Sequence, residues 1–166
     1  MALLDSFLTE PYPFNVWVAV RSDGAKGSGT LNDPYDGSTQ EKFDSVMSLV
    51  ADHQGGLWIG TMDAGLSRLD PATGRVTHYR HDPADSRSLS SDSVVALVID
   101  DVGDLWVGTH GGGLARFDGT SGSFARFQHD PRNDDSVGAD IVTCMAQDKS
   151  GALWVGTDGG GLNLLD

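Results

Sequence analysis

Three stretches of this chain align without a gap: "DHQGGLWIGTMDAGLSRLD" from Asp52, "DDVGDLWVGTHGGGLARFD" from Asp100 and "DKSGALWVGTDGGGLNLLD" from Asp148. Their tryptophans, Trp58, Trp106 and Trp154, recur every 48 residues. A fixed period of that size marks a repeat architecture and constrains the fold more tightly than any local motif. Within one period the pattern reads as four short strands. "SVVALVID" is apolar on both alternating faces, as a strand covered on both sides should be. A turn at Asp100-x-x-Gly103 leads into "LWVGT", a glycine-rich hairpin at 110–112 into "GLARFD", and the turn "GTSG" into "FARFQ". The first copy supplies "SVMSLVAD", "LWIGT", "GLSRLD" and "VTHYR" in the same order. Four antiparallel strands in 40 to 50 residues is the unit of a β-propeller blade, and no segment has helical periodicity. The expected fold is therefore all-β: a partial, open or incomplete β-propeller of about three four-stranded antiparallel blades. These cover residues 43–80, 93–128 and 141–166, the last stopping before its fourth strand, and an N-terminal strand-and-loop extension occupies 1–42.

The repeat disposes of a tempting motif. His110-Gly111-Gly112-Gly113 is the tetrapeptide with which a lipase builds an oxyanion hole. Such an enzyme also needs Gly-x-Ser-x-Gly on a nucleophile elbow, and the chain contains none. In the repeat frame the tetrapeptide becomes Met62-Asp63-Ala64-Gly65 and Asp158-Gly159-Gly160-Gly161, so His110 is a variable position in a repeated turn. No Ser or Cys nucleophile adjoins it in sequence, and the expectation is a protein that is not an enzyme and carries no catalytic residue.

Composition narrows the partners. A net charge of -13 argues against nucleic acid, since phosphate binding needs clustered Lys and Arg. Of the acidic residues only Glu10 and Glu41 are not Asp, and Asp is the turn former, its short carboxylate accepting nearby backbone N–H groups. Asp52, Asp100 and Asp148 should do this while Gly55, Gly103 and Gly151 take positive φ. One carboxylate per turn is too few for a calcium cage, so no metal and no cofactor are expected. The one cysteine, Cys144, lies in an apolar run and reads as a buried small hydrophobe. "MALLDSFLTEPYPF" lacks the basic start and long apolar stretch of a signal peptide, and no apolar run approaches the length of a membrane span.

Closed propellers need about 4 to 8 blades. Two whole blades and part of a third leave an open arc with an unpaired strand at Gly161 to Leu165, a template for association. The expectation is a piece of a longer protein or a chain completed by self-association. "VWVAV", Val16 to Val20, is a candidate for the missing outer strand.

Binding, where it exists, sits on loops. The hairpins between second and third strands emerge on the same face as the connections to the next blade. Asp63, His110 and Asp158, with Asp92 and Asp140 at the following strand starts, are the candidate ligand-binding residues there. The opposing reading makes each a solvated loop polar. The tryptophans offer sugar-stacking faces, but both faces of a blade are covered by neighbours, so inter-blade packing is the stronger reading.

The pattern Asp-x-x-Gly-x-Leu-Trp-[Val/Ile]-Gly-Thr-x-x-[Ala/Gly]-Gly-Leu, continued by "RLDPATGRVTHYRHDPADSRSLSSDSV", resembles the two-component regulator propeller repeat over residues 43–166. The resemblance implies a ligand-sensing or interaction domain of a bacterial hybrid two-component system, periplasmic or extracellular. It would respond to oligosaccharide breakdown products and signal to a histidine kinase domain that this chain lacks. Streptogramin-lyase-like propellers look broadly similar, with no residue constellation here to support that activity. Residues 12–42, "FNVWVAVRSDGAKGSGTLNDPYDGSTQEKFD", are similar to the opening of pectin-lyase-like right-handed β-helices, which implies as an alternative a fragment of a polysaccharide-active enzyme. A structural scaffold without a ligand is the third possibility.

Overall fold

In the computed structural model, residues 46–165 are described. The N-terminal extension, including Val16 to Val20 and the β-helix-like 12–42, lies outside them. Eleven strands form three antiparallel sheets, and among the described residues there is no helix. Sheet I runs β1 (Val46–Ala51), β2 (Leu57–Thr61), β3 (Leu66–Asp70), β4 (Arg75–Tyr79), each strand beside the next. Sheet II repeats the order with β5 (Val94–Ile99), β6 (Leu105–Thr109), β7 (Leu114–Asp118) and β8 (Ser123–Phe127). Sheet III has β9 (Val142–Gln147), β10 (Leu153–Thr157) and β11 (Gly161–Leu165). The leading strands β1, β5 and β9 touch in succession and the outer strands diverge, the fan of an open propeller arc.

Register repeats with the sequence. Trp58 stands between Val50 and Arg68, Trp106 between Val98 and Arg116, Trp154 between Ala146 and Leu164. Side chains alternate across a strand, so Trp on each second strand faces the following sheet and the Leu and Val beside it face the preceding one. Trp58 and Leu66 are thus buried among Leu89, Val94, Leu105 and Val107, and Trp106 and Leu114 among Val142, Leu153 and Val155. Each fully buried aliphatic side chain contributes about 1.5–3 kcal/mol, and the seams between sheets hold most of them, Ile59 and Leu69 of sheet I lying outside both seams.

The glycine of "LW[VI]GT" is set by this seam. A β-bulge shifts the register at the start of β5 and of β9. Val94 there rests on Gly60, and Val142 rests on Gly108. A Cβ on Gly60 would lie 2.6 Å from Val94 Cγ1, and one on Gly108 2.5 Å from Val142 Cγ1. Val94 and Val142 are 0% and 1% exposed, so neither has room to withdraw.

Sheet III ends differently. No further sheet covers its tryptophan face among the described residues, and Leu162 and Leu164 on β11 are 68% and 49% exposed. Cys144 is exposed too, which corrects the expectation that it is buried. Its counterparts Ser48 and Ala96 have a following sheet against them; Cys144 stands on the face that has none.

Gly108→Ala should destabilise by about 1–3 kcal/mol through overpacking, and Gly111→Ala by about 1–2 kcal/mol through backbone strain alone. Gly111 sits at φ 94° with nothing within 4 Å of a Cβ. Combining Gly108→Ala with Val142→Ala should cost less than the sum of the two. Denaturant midpoints test this, and strict additivity would show that the seam is not the constraint.

Candidate functional site

At one end of the sheets lie the hairpins after β2, β6 and β10. Thr61, Thr109 and Thr157 close them, each hydroxyl donating to the carbonyl of Gly65, Gly113 and Gly161 at 3.0, 2.9 and 3.1 Å. Those glycines have φ of 70–74°, a left-handed conformation that other residues reach only with strain. The hairpins are then tied to the next sheet's leading segment. The Gly65 N–H donates to the Asp92 carbonyl at 2.9 Å, and both Gly111 and Gly113 N–H groups donate to the Asp140 carbonyl at 3.0 and 2.9 Å. Two of the amides that an oxyanion hole would need from the His110 tetrapeptide are therefore already spent on the fold. Among the described residues, no hydroxyl or thiol is hydrogen-bonded to the His110 ring.

The five candidate residues separate into two groups. Asp92 and Asp140 are bracing residues: Oδ1 of each accepts the backbone N–H of His81 or His129, at 2.7 and 2.8 Å. Asp92 also lies 3.5 Å from Arg80. His81 and His129 in turn point Nδ1 at the carbonyls of Leu89 and Val137, 2.8 and 2.9 Å away. A carbonyl only accepts, so Nδ1 carries the proton in both. Asp63, His110 and Asp158 are exposed, and their side chains make no hydrogen bond or ion pair among the described residues. Their backbones are held: Asp63 by Arg80 Nη1 on its carbonyl, His110 and Asp158 by N–H bonds to Ser93 and Ile141. The structure places these three on successive hairpins of one face and shows no contact joining them.

The opposite end carries the Asp-x-x-Gly turns. Oδ1 of Asp52 accepts from Gln54 and Gly56 N–H, that of Asp100 from Val102 and Asp104, that of Asp148 from Ser150 and Ala152. Gly55, Gly103 and Gly151 have φ of 82°, 94° and 90°. The second carboxylate oxygen has a role that sequence reading missed. Asp100 Oδ2 accepts the Trp106 indole N–H at 2.9 Å, and Asp148 Oδ2 that of Trp154 at 2.8 Å. An Asp six residues before each Trp was the available signal. The Ser150 hydroxyl and the Trp154 indole, both donating to the carboxylate, hold Asp148 down from 3.8 to about 2.

Set beside known proteins, three segments, residues 40–63, 88–111 and 136–159, match the repeat family described as two component regulator propeller. Each runs through the first two strands of a sheet into the hairpin. The chain is similar to a structure described as the extracellular domain of a hybrid two component system from B. thetaiotaomicron, at 28% identity and a TM-score of 0.67 over 74% of this chain and 17% of that one. A second such domain from B. thetaiotaomicron has 28% identity and a TM-score of 0.58 over 72% of this chain and 15% of that one. Virginiamycin B lyase from Staphylococcus aureus shares the fold alone, at 16% identity and a TM-score of 0.51 over 76% of this chain and 42% of that one. No curated protein matches. The pectin-lyase-like resemblance of residues 12–42 is not supported by these matches. Residues 46–165 are a propeller segment with three matches to the two component regulator propeller repeat, similar to extracellular domains of hybrid two component systems and spanning less than a fifth of their length.

Asp148 binds its proton more weakly folded than unfolded. It therefore adds stability above about pH 4, and that contribution is lost as pH falls through about 2. Urea midpoints measured from pH 7 to pH 2 should drop across that window, and Asp148→Asn should start lower at pH 7 with a shallower acid decline. An unchanged slope in the variant would remove Asp148 from the acid transition.

Proposed function

We propose that this chain is a ligand-sensing or interaction part of a two-component signal-transduction sensor, non-catalytic, taking oligosaccharide breakdown products on its hairpin face. The observation that carries the reading is the pairing of a backbone fixed by repeated bonds with unengaged Asp63, His110 and Asp158 side chains on that face. Carboxylate and imidazole groups on a rigid frame suit sugar hydroxyls, because little side-chain or loop order remains to be imposed on binding. Asp92 and Asp140 serve the site by holding the loop, not by touching ligand. The likeness to extracellular hybrid two component domains supports the signalling context. Further blades, from the same protein or a second copy, would complete the ring beyond sheet III, and a histidine kinase would read the bound state.

The test is a glycan array probed with the chain and with the combined Asp63→Ala, His110→Ala, Asp158→Ala variant. Binding to a restricted set of oligosaccharides, weakened at least about tenfold in the variant, is the expected result. Full binding by the variant would move the site off this face. No glycan bound at all would overturn the carbohydrate assignment.

A further inference from the structure

The repeat breaks its own rule at one indole. In sheets II and III the tryptophan N–H is bonded to the turn carboxylate. In sheet I, Asp52 Oδ2 is taken instead by Arg68, through Nε at 2.8 Å and Nη2 at 2.6 Å. The cause is local sequence. Arg116 in sheet II has Asp104 to turn to, at 3.6 Å; the counterpart of Asp104 in sheet I is Gly56, and a Cβ there would sit 2.7 Å from Arg68 Nη2. Arg68 therefore folds onto Asp52, with its guanidinium 5.6 Å from the Trp58 ring. Trp58 is 4% exposed, and its Nε1 finds no acceptor among the described residues. It is not among the fully enclosed unpartnered atoms, of which Ser48 Oγ is the one found, so the N–H remains within reach of solvent.

Trp58 belongs to the wall of a cleft of about 740 Å³ between sheets I and II, at the turn end, away from the hairpin face. Trp58, Tyr79, Phe117, Arg68 and Arg116 line it. Its size suits a small ligand. The other two repeats show what such an indole N–H bonds here: a carboxylate oxygen. Arg68 and Arg116 are paired with Asp52 and Asp104, so they bring donors and no net positive charge: the guanidinium nitrogens outside those contacts can still donate, and Asp118, which also lines the cleft, disfavours a polyanion. We infer that this cleft binds a monocarboxylate carried on a small ring, the carboxylate accepting from Trp58 Nε1 and an arginine, the ring lying against Tyr79 and Phe117.

The test follows the four indole N–H signals of the chain by nitrogen-15 NMR while benzoate, glucuronate or benzamide is added, with Trp58 assigned through Trp58→Phe. Free of ligand, Trp58 should resonate upfield of the carboxylate-bonded Trp106 and Trp154. Benzoate or glucuronate should move it downfield and saturate, leaving Trp106 and Trp154 in place, and the tighter of the two identifies an aromatic or a sugar body. Benzamide should do nothing. Arg68→Leu, which copies Leu164 of the third repeat, should release Asp52 to Trp58, shift that signal downfield without ligand and weaken acid binding at least about tenfold. A Trp58 signal unmoved by both acids, equally moved by benzamide, or shadowed by Trp106 and Trp154 would overturn the site. None of these outcomes depends on glycan binding at the hairpins.

Discussion

A valine with no room to move, laid on a glycine that cannot take a side chain, sets how one sheet meets the next. Val94 on Gly60 and Val142 on Gly108 fix the closest approach of adjacent sheets near the inner strands. From that distance the rest follows. The tryptophan of one sheet reaches the leucine and valine of the next, and the bulge that aims each valine also sets the angle of its sheet. Interiors packed to crystal density transmit such a constraint without slack. The fan therefore repeats its geometry wherever the pentapeptide recurs, and the surfaces that vary are left to loops.

Among the described residues, much of the acidity is a consequence of this plan. Asp100 and Asp148 each perform two tasks at once, closing a turn through one oxygen and pinning a tryptophan indole through the other. Asp92 and Asp140 do the analogous work at the other end, bonding the connector through the side chain and the hairpin through the carbonyl. Asp70 and Asp118 close the outer turns, and the hydroxyls of Thr73 and Ser121 hold their carboxyls below the ordinary range. Much of the charge that looks like a binding signal in composition is spent on backbone donors, with Asp63 and Asp158 among the exceptions.

Periodicity made the sheets legible because strand alternation, turn chemistry and the Trp spacing all agreed at 48 residues. It placed the three hairpins and the positive-φ glycines correctly for the same reason. Two things escaped it. An apolar run says that a strand is suited to burial, not whether a neighbouring sheet exists, so Cys144 read as buried although no sheet lies against it among the described residues. Alignment of repeats also treats corresponding residues as interchangeable, whereas Asp52 exchanges an indole for a guanidinium because Gly56 stands where Asp104 does in the next copy. In the candidate site, the common end of the molecule was readable; that Asp92 and Asp140 brace while Asp63, His110 and Asp158 stay free was not, since it turns on individual bonds.

Repetition itself then tells where to look for chemistry. A position that keeps its residue and its bond in every copy, such as Thr61, Thr109 and Thr157, is explained by the sheet it closes. A position that changes residue while the Thr hydroxyl beside it keeps its bond, as with Met62, His110 and Asp158, is released from that duty and open to recognition. A third kind keeps its residue and loses its bond. Trp58 retains the ring because the seam needs it, and gives up the hydrogen bond that its equivalents make, since Arg68 competes for the same oxygen with a charge-assisted pair. A donor left without a protein partner but within reach of solvent is free to take an outside acceptor, and in a molecule that satisfies the same group elsewhere with a carboxylate, a carboxylate is the acceptor its surroundings suit.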